Sequence, residues 1–251
     1  MNPLLPFLMA GDPSLEALPV LLAEATALGI EALEVGLPHS DPIADGPVLQ
    51  AAAQRAIARG VTPRRVLEML AGVEASPGLI LFTYLNPLLQ LGTGELINLL
   101  RPTPVKALLV VDLPFGEEPA FETSLRDAGY PIVPLLAPTT DLVRAKVLLS
   151  ERPDPGEAHP FAQRFAYVVA RLGVTGQGAT DMASVAARVA ELKRITDRPL
   201  AVGFGLSDPA SLQSVRDMGA TPVIGSALVK ELAEGASLGM ALKGRADSIR
   251  G

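Results

Sequence analysis

Glu34, Asp41 and Asp45 lie close together in one short segment near the N-terminus. Glu34 belongs to the apolar run IEALEV (30–35), and Asp41 and Asp45 follow it in GLPHSDPIADGP (36–47). The first Lys or Arg of the chain is Arg55, so no neighbouring cation in the sequence pairs with them. Asp41, within SDP, is best interpreted as a turn residue. The other two could act as general acid and base, and a magnesium site formed by all three acids is the less favoured alternative.

Glycine-rich segments in the second half of the chain are typical of phosphate-binding loops. GFG (203–205) and GSA (225–227) each follow a predicted strand, and GVTGQGA (173–179) follows another and could act as a mobile lid. Glycine lets the main chain approach a ligand closely, and the amides at a helix N-terminus favour an anion. These segments together favour a phosphorylated small-molecule substrate that is bound mainly by backbone amides.

The composition argues against several kinds of site and partner. The chain has 251 residues, no Cys and 2 His, so thiolate and imidazole metal sites are disfavoured. Its formal net charge of −6 disfavours nucleic acid as a partner. No apolar run is long enough to span a bilayer, and the N-terminus lacks the basic region of a signal peptide. We therefore expect a cytoplasmic protein.

Apolar, β-rich runs alternate with segments of helical periodicity along the whole chain. Strands are predicted at 4–10, 30–35, 79–84, 107–112, 131–136, 165–170, 199–204 and 221–225. Helices are predicted at 14–28, 47–59, 62–73, 93–100, 117–128, 141–149, 183–195, 208–218 and from 226 onward. Residues suited to capping stand at the predicted helix ends: Asp12, Ser14, Thr62 and Asp208 at the starts, and Gly29, Gly129 and Gly219 just past the ends.

This alternation predicts a (β/α)8 TIM barrel of the phosphate-binding type. No linker or change of composition divides the chain, so we expect a single domain over 1–251. An open doubly wound sheet is an alternative that the strand count leaves open. The irregular segment 150–165 precedes a predicted strand and so belongs to the N-terminal face of a barrel, where a solvated insertion is the favoured interpretation. Alternatively, Phe161 and Phe165 could help to close the lower opening.

Alternation along the predicted second strand places Ile30, Ala32 and Glu34 on one face, so Glu34 is expected to point into the barrel at its C-terminal rim. Among apolar walls the ionised form of a carboxyl group is disfavoured, which suits it to act as a general acid. Asp112 is expected to end the fourth strand in the same way, after Leu108 and Val110.

Segments in order along almost the whole chain resemble the tryptophan synthase alpha chain family. They are PFLMAGDP (6–13), LEVGLPHSDPIADGPVLQ (33–50), FTYLNPLL (82–89), VVDLPFGEE (110–118), LGVTG (172–176), VGFGLSD (202–208) and IGSALVK (224–230). The resemblance implies a (β/α)8 lyase of tryptophan biosynthesis that cleaves indole-3-glycerol phosphate, by a retro-aldol reaction, to indole and glyceraldehyde 3-phosphate. It implies no cofactor in this chain, and a partner beta chain that carries pyridoxal phosphate in an αββα heterotetramer.

The resemblance also implies roles for individual residues. Glu34, of LEVGLP, is expected to protonate C3 of indole as general acid/base. Asp45, of ADGP, is expected to accept a hydrogen bond from the indole N–H and to stabilise the positive charge that develops there. The implied substrate-binding residues are Phe7, Phe82, Tyr84, Asp112, Tyr167 and Thr175, the last of which should link the lid to Asp45. The implied phosphate-binding residues are Gly176, Gly205, Gly225 and Ser226.

The chain departs from the family pattern at a few positions. Met9, His39 and Ala170 stand where Thr, an aromatic residue and Ser are common, and the first predicted strand begins within a few residues of Met1, where the family usually has a short helix. None of these differences removes a proposed catalytic group. Two other functions stay open: a stand-alone lyase that releases free indole, and a catalytically silent barrel that only binds and activates a beta chain. The intact Glu34 and Asp45 argue against the silent barrel.

Overall fold

A computed structural model of the chain describes residues 4–74, 76–151, 161–170, 181–203, 206, 208–243 and 245. The strands within these residues are Leu5–Met9 (β1), Ala32–Gly36 (β2), Gly78–Thr83 (β3), Val105–Val110 (β4), Leu135–Leu136 (β5), Ala166–Val169 (β6), Leu200–Gly203 (β7) and Thr221–Ile224 (β8). The helices are Ala17–Ala27 (α1), Pro47–Ala58 (α2), Pro63–Leu70 (α3), Leu85–Leu91 (α4), Thr93–Leu100 (α5), Pro119–Asp127 (α6), Leu142–Glu151 (α7), Met182–Lys193 (α8), Pro209–Asp217 (α9), Ser226–Ala233 (α10) and Leu238–Leu242 (α11).

The strands form one parallel sheet in the order β4-β3-β2-β1-β8-β7-β6-β5. The first strand pairs with the last, with Leu5 opposite Val223. The sheet closes between β4 and the segment before β5, where the Leu108 amide donates to the Pro131 carbonyl at 3.0 Å and the Val133 amide donates to the Leu108 carbonyl at 2.8 Å. The fold is therefore a (β/α)8 barrel, as the sequence predicts, and not an open sheet.

Two apolar layers fill the molecule, one inside the barrel and one between the strands and the helices. The inner layer includes Leu5, Phe7, Met9, Ala32, Ile80, Phe82, Ala107, Leu109, Val133, Tyr167, Ala201 and Val223. Ile30 lies in the outer layer, because β2 begins only at Ala32 and the alternation does not reach back to it. Glu34 lies on the same face of β2 as Ala32 and so points into the barrel, as predicted. Ile30, which was also used for that prediction, does not share this face.

The prediction that Asp112 points into the barrel is wrong. Leu108 and Val110, which share its parity, lie in the outer layer, whereas Ala107 and Leu109 point inward. Asp112 itself follows the end of β4 and is exposed.

The lower, N-terminal end of the barrel is closed by aromatic side chains. Phe161 and Phe165 stack with their ring centroids 5.1 Å apart and their planes at 4°. Both are buried in the inner layer, and Phe165 directly precedes β6. The interpretation as a solvated insertion is therefore wrong for 161–165, and 152–160 lie outside the described residues.

Several helix ends are capped as predicted. Thr62 accepts the Arg65 amide at 3.3 Å, and Asp208 accepts the Ser211 amide at 3.0 Å. Asp12 does not cap α1, because its carboxylate binds the Arg55 guanidinium at 2.6 and 2.9 Å. Glu24 of α1 contacts the far end of the chain, because its carboxylate accepts the Leu238 amide at the start of α11 at 3.0 Å.

Among the described residues, none of the helices has the length and apolar character needed to cross a membrane.

Candidate active site

Glu34 lies inside the barrel near the C-terminal end of β2. Its strand neighbours are Phe7 on β1 and Ile80 on β3. The residue is 1% exposed, and its Oε1 atom has no hydrogen-bond partner in the part of the chain that the structure describes. Burial without a compensating cation raises the pKa of Glu34 to about 8. Glu34 is therefore protonated at neutral pH and can donate a proton to a ligand in the barrel.

Asp45 lies on the loop between β2 and α2 and is 2% exposed. Its amide donates to the Pro42 carbonyl at 3.0 Å, and its own carbonyl accepts the Gln50 side-chain amide at 2.8 Å. Burial raises its pKa to about 7, although the Tyr84 hydroxyl, which hydrogen-bonds to the carboxylate, lowers that pKa. The Oδ1 atom has no partner among the described residues, so one oxygen of Asp45 is available to a ligand.

Tyr84, at the N-terminus of α4, connects Asp45 to the neighbouring loop. Its hydroxyl accepts the Ala44 amide at 3.1 Å and donates to the Asp45 carboxylate. Burial, and then the negative charge of Asp45, raise the pKa of Tyr84 above its ordinary value. The His39 ring packs against Tyr84 with 5.1 Å between the centroids. Tyr84 is thus both an aromatic wall and a hydrogen-bond donor to the second acid.

Asp112 lies outside this pocket but beside Tyr84. Its Oδ1 atom accepts the Leu85 amide at 2.7 Å, at the first residue of α4. A carboxylate at a helix N-terminus is favoured by the free amides there. Among the described residues, Asp112 therefore contacts the turn that carries Tyr84 and not the barrel interior.

Phe7, Phe82 and Tyr167 form aromatic walls inside the barrel. Phe7 and Phe82 meet edge to face at 5.2 Å. A Cβ atom at Gly36 would lie 2.4 Å from Phe7 Cζ, so the ring needs a glycine there. Burial, and then the charges of Glu34 and Asp45, raise the pKa of Tyr167 well above its ordinary value, which places its hydroxyl within the field of both acids.

Gly225 and Ser226 form the junction between β8 and α10 at the same end of the barrel. The first amides of an α-helix have no partner within the helix, and here they begin at Ser226. Gly225 packs against Phe7, since a Cβ atom at Gly225 would lie 3.7 Å from Phe7 Cβ. An anion at these amides would therefore be adjacent to the aromatic walls. Thr175, Gly176 and Gly205, with the predicted lid 173–179, lie outside the described residues.

Gln50 is a site residue that the sequence interpretation missed. A Gln five positions after an acid, in the first turn of the following helix, is within reach of the main chain before that helix. That spacing was a usable signal, but the sequence interpretation gave Gln50 no role.

Within the described residues, no three His, Cys, Asp or Glu side chains lie close enough together to hold a metal ion. The barrel interior contains two buried carboxyl groups among aromatic rings, and it lies next to a helix N-terminus. The fold and the site are those of a (β/α)8 barrel with two buried carboxyl groups at the C-terminal end of its strands.

Comparison with known proteins identifies the family. The family model described as tryptophan synthase alpha chain matches residues 1–246, and this chain therefore belongs to the tryptophan synthase alpha chain family. A tryptophan synthase alpha chain of Synechococcus sp. (strain CC9902) is 41% identical over 239 residues, which cover 94% of this chain and 85% of that protein. One from Gloeobacter violaceus is 41% identical over 235 residues, 92% of this chain and 82% of that protein.

Solved structures give the same result. A structure of tryptophan synthase from Mycobacterium tuberculosis has a TM-score of 0.85 at 26% identity, covering 98% of this chain and 92% of that one. A mutant tryptophan synthase alpha-subunit from the hyperthermophile Pyrococcus furiosus has a TM-score of 0.78 at 30% identity, covering 98% of this chain and 95% of that one.

Proposed function

We propose that this chain is the alpha subunit of a tryptophan synthase and that Glu34 and Asp45 cleave indole-3-glycerol phosphate by a retro-aldol reaction. The observation that carries the proposal is the pair of buried acids, each with one oxygen that lacks a partner among the described residues. Both lie at the C-terminal end of a barrel, which is where active sites of this fold are built. Family membership supports the reaction, and the burial of Glu34 and Asp45 supports their assignment as the groups that perform it.

Glu34 acts as the general acid in this mechanism. With a pKa of about 8 it holds a proton at neutral pH and donates it to C3 of the indole ring. The C3 atom then carries both the new hydrogen and the glycerol phosphate chain. Loss of the proton from the adjacent side-chain hydroxyl breaks the carbon–carbon bond, with the electron pair returning to the ring, and yields indole and glyceraldehyde 3-phosphate. The Glu34 carboxylate left by the first step is a base for that proton.

Asp45 acts in its ionised form. Its free Oδ1 accepts the indole N–H, and its charge stabilises the positive charge that appears on this nitrogen once C3 is protonated. Asp45 gives up its proton more readily than Glu34, because the Tyr84 hydrogen bond stabilises its carboxylate and no such bond is found at Glu34 among the described residues. Burial raises both pKa values, and the Tyr84 hydrogen bond holds that of Asp45 lower than burial alone would.

Phe7, Phe82, Tyr84 and Tyr167 enclose the indole ring in this proposal, and the amides at Gly225 and Ser226 bind the phosphate. The contact of Phe7 with Gly225 places these two regions side by side, as a substrate with an aromatic ring and a phosphate requires. Thr175, Gly176 and Gly205 keep the roles that the motifs imply, as predictions. For Asp112 we propose an indirect role through the turn at Leu85.

A beta chain is the proposed partner, in an αββα assembly whose pyridoxal phosphate belongs to the partner. Ile43, on the loop that carries Asp45, is 67% exposed, and Leu89, on α4, is 42% exposed. The hydrogen bond between the Ala44 amide and Tyr84 joins these two elements. An apolar surface beside the barrel mouth suits a partner that receives indole. We further propose that 1–251 forms a single domain and acts in the cytoplasm.

The test is indole release from indole-3-glycerol phosphate by the purified chain, with and without a beta chain. Asp45→Asn should reduce turnover by about 100-fold or more, because it removes the charge that stabilises the protonated ring. Asp41→Asn is the matched control, since Asp41 is an exposed acid on the same loop, and it should behave like the parent.

The outcomes separate the alternatives. If the parent forms no indole under either condition but raises the activity of a beta chain, the silent-barrel function is correct and the proposal fails. If Asp45→Asn and Asp41→Asn have equal turnover, the assignment of Asp45 is wrong. A parent that is fully active alone and unaffected by a beta chain is a stand-alone lyase.

A further inference from the structure

We infer that Gln50 is a positioning residue for Asp45: it holds the main chain of the loop so that the Asp45 carboxylate stays inside the barrel. The inference rests on the proposed function, because it concerns the orientation of the second acid. Its direct observation is the hydrogen bond from Gln50 Nε2 to the Asp45 carbonyl oxygen, 2.8 Å long and five residues apart in sequence. Gln50 acts through Asp45 and does not itself react.

The loop needs such a restraint because the Asp45 carboxylate is poorly solvated where it lies. Asp45 is 2% exposed, yet Asp41 and Ile43, on the same loop, are exposed. Rotation of the loop would move the carboxylate into water, where its ionised form is more stable. The hydrogen bond from the Asp45 amide to the Pro42 carbonyl closes only a local turn and does not oppose a rotation of the whole loop.

Gln50 is well placed to oppose that rotation because its own backbone is fixed. Its amide donates to the Gly46 carbonyl at 3.0 Å, in the first turn of α2. Leu49, Ala52 and Ala53 of the same helix pack into the inner apolar layer. The position of the helix is therefore set by the barrel wall, and the Gln50 side chain transmits it to the Asp45 main chain.

The C-terminal end of α2 is also held in place, by contacts with the loop between β1 and α1. Arg55 binds both carboxylate oxygens of Asp12, which is 6% exposed, and the Arg59 guanidinium donates to the Gly11 carbonyl at 3.1 Å. Gly11 packs tightly on the helix, since a Cβ atom there would lie 3.0 Å from Ala56 Cβ. Tyr84 restrains the Asp45 side chain and Gln50 its main chain, so the two contacts hold different parts of the same residue.

Gln50→Met tests the inference, because Met keeps the length and helix propensity of Gln and removes the donor. Gln54→Met is the matched control, one turn further along α2 at an exposed position. We expect Gln50→Met to lower kcat for indole release by roughly fivefold, the typical value of one hydrogen bond, with KM changed less than twofold. Gln54→Met should match the parent in both constants.

A second measurement does not depend on turnover. The Asp45 carboxyl carbon is titrated by ¹³C NMR, with its signal assigned by its loss in Asp45→Asn. In Gln50→Met the better solvated carboxylate should titrate at lower pH than in the parent, whereas Gln54→Met should leave the midpoint unchanged. A merely structural role for Gln50 would lower the melting temperature without moving this midpoint. If Gln50→Met does not fold, Gln50→Leu, which also removes the donor and adds no charge, provides the same comparison.

The inference is overturned if Gln50→Met equals Gln54→Met in both kcat and the Asp45 midpoint. That result with an active parent leaves the proposed function intact. A parent without turnover contradicts the proposed function instead, and the titration then still decides whether Gln50 positions Asp45.

Discussion

The two ends of the barrel interior are built in opposite ways. At the lower end, Phe161 and Phe165 stack in the inner apolar layer. At the upper end, Glu34 and Asp45 are equally buried, but each has an oxygen without a partner among the described residues. Burying a ring stabilises the fold, whereas burying a carboxyl group without a counterion costs free energy. The lower end therefore stabilises the fold, whereas the upper end is destabilised by the two carboxyl groups that we propose for catalysis.

The largest expected effect is that of Glu34→Gln on the upper end. It removes the proton that is donated to the substrate, so indole release should fall by roughly 10²–10⁴-fold. The same change should stabilise the fold at high pH. Since the pKa of Glu34 is raised from 4.5 to about 8, the folded state keeps a proton that the unfolded state loses, and stability falls as pH rises through this window.

Denaturant unfolding of parent and Glu34→Gln at several pH values measures this second effect. At pH 4 the ionisation of Glu34 should contribute little to the difference in free energy of unfolding between the two proteins. Above pH 8 the mutant should be the more stable one, by up to about 5 kcal/mol. Glu31→Gln, at an exposed position just before the same strand, is the control and should change neither property. If Glu34→Gln cleaves the substrate at the normal rate, Glu34 has no catalytic role and the proposed contrast between the two ends is wrong.

Phe165→Ala is the corresponding change at the lower end, where it should affect stability alone. Phe165 is 0% exposed, and loss of a buried Phe side chain costs about 3–5 kcal/mol. Thermal unfolding should show a melting temperature lower by roughly 10 °C. At a temperature where the protein is folded, kcat should stay within twofold of the parent.

Phe115→Ala provides the comparison for this result, because Phe115 is only half-buried and lies on the loop after β4. It should lower the melting temperature less than Phe165→Ala does. A large loss of kcat in folded Phe165→Ala would show that the two ends are coupled, and that the division between stability and chemistry is wrong.

The smallest of these effects is expected at the phosphate side of the upper end. Gly225→Asp places a carboxylate at the N-terminus of α10, where the phosphate should bind, so KM should rise by about tenfold through repulsion between the anions. Steady-state kinetics measures this, and kcat at saturation should change little. Gly239→Asp, which adds the same charge on α11 with open space around it, should leave KM unchanged. An equal KM in both variants would mean that the phosphate lies elsewhere.

Sequence alone was sufficient for the elements that depend on local pattern. The alternation of strands and helices, and the glycines at 29, 129 and 219, which adopt positive φ, follow from hydrophobic periodicity and cap chemistry. Glu34 was identifiable because a carboxyl group in an otherwise apolar strand is costly, and so needs a reason to be there. The family resemblance supplied the roles that periodicity could not.

The errors came from contacts that are distant in sequence or from the ends of strands. Asp12 was interpreted as a cap because its partner, Arg55, lies 43 residues further along the chain. Asp112 was assigned to the interior because Leu108 and Val110, which share its parity, were taken to face the inside of the barrel, whereas they lie in the outer layer. The helix α4 was missed because Pro87 interrupts LNPLLQL, although proline is tolerated in the first turn of a helix.

The pairing of β1 with β8 has a consequence for how the protein is made. On the ribosome β1 is synthesised first, and it meets β2 early, but its other edge has no partner until β8 has emerged. The contact between Glu24 and the Leu238 amide spans 214 residues and forms later still. Closing so long a loop is slow, and open strand edges invite pairing with other chains. During synthesis, then, the nascent chain exposes an incomplete parallel sheet, and one edge of the first strand stays unpaired until β8 has emerged.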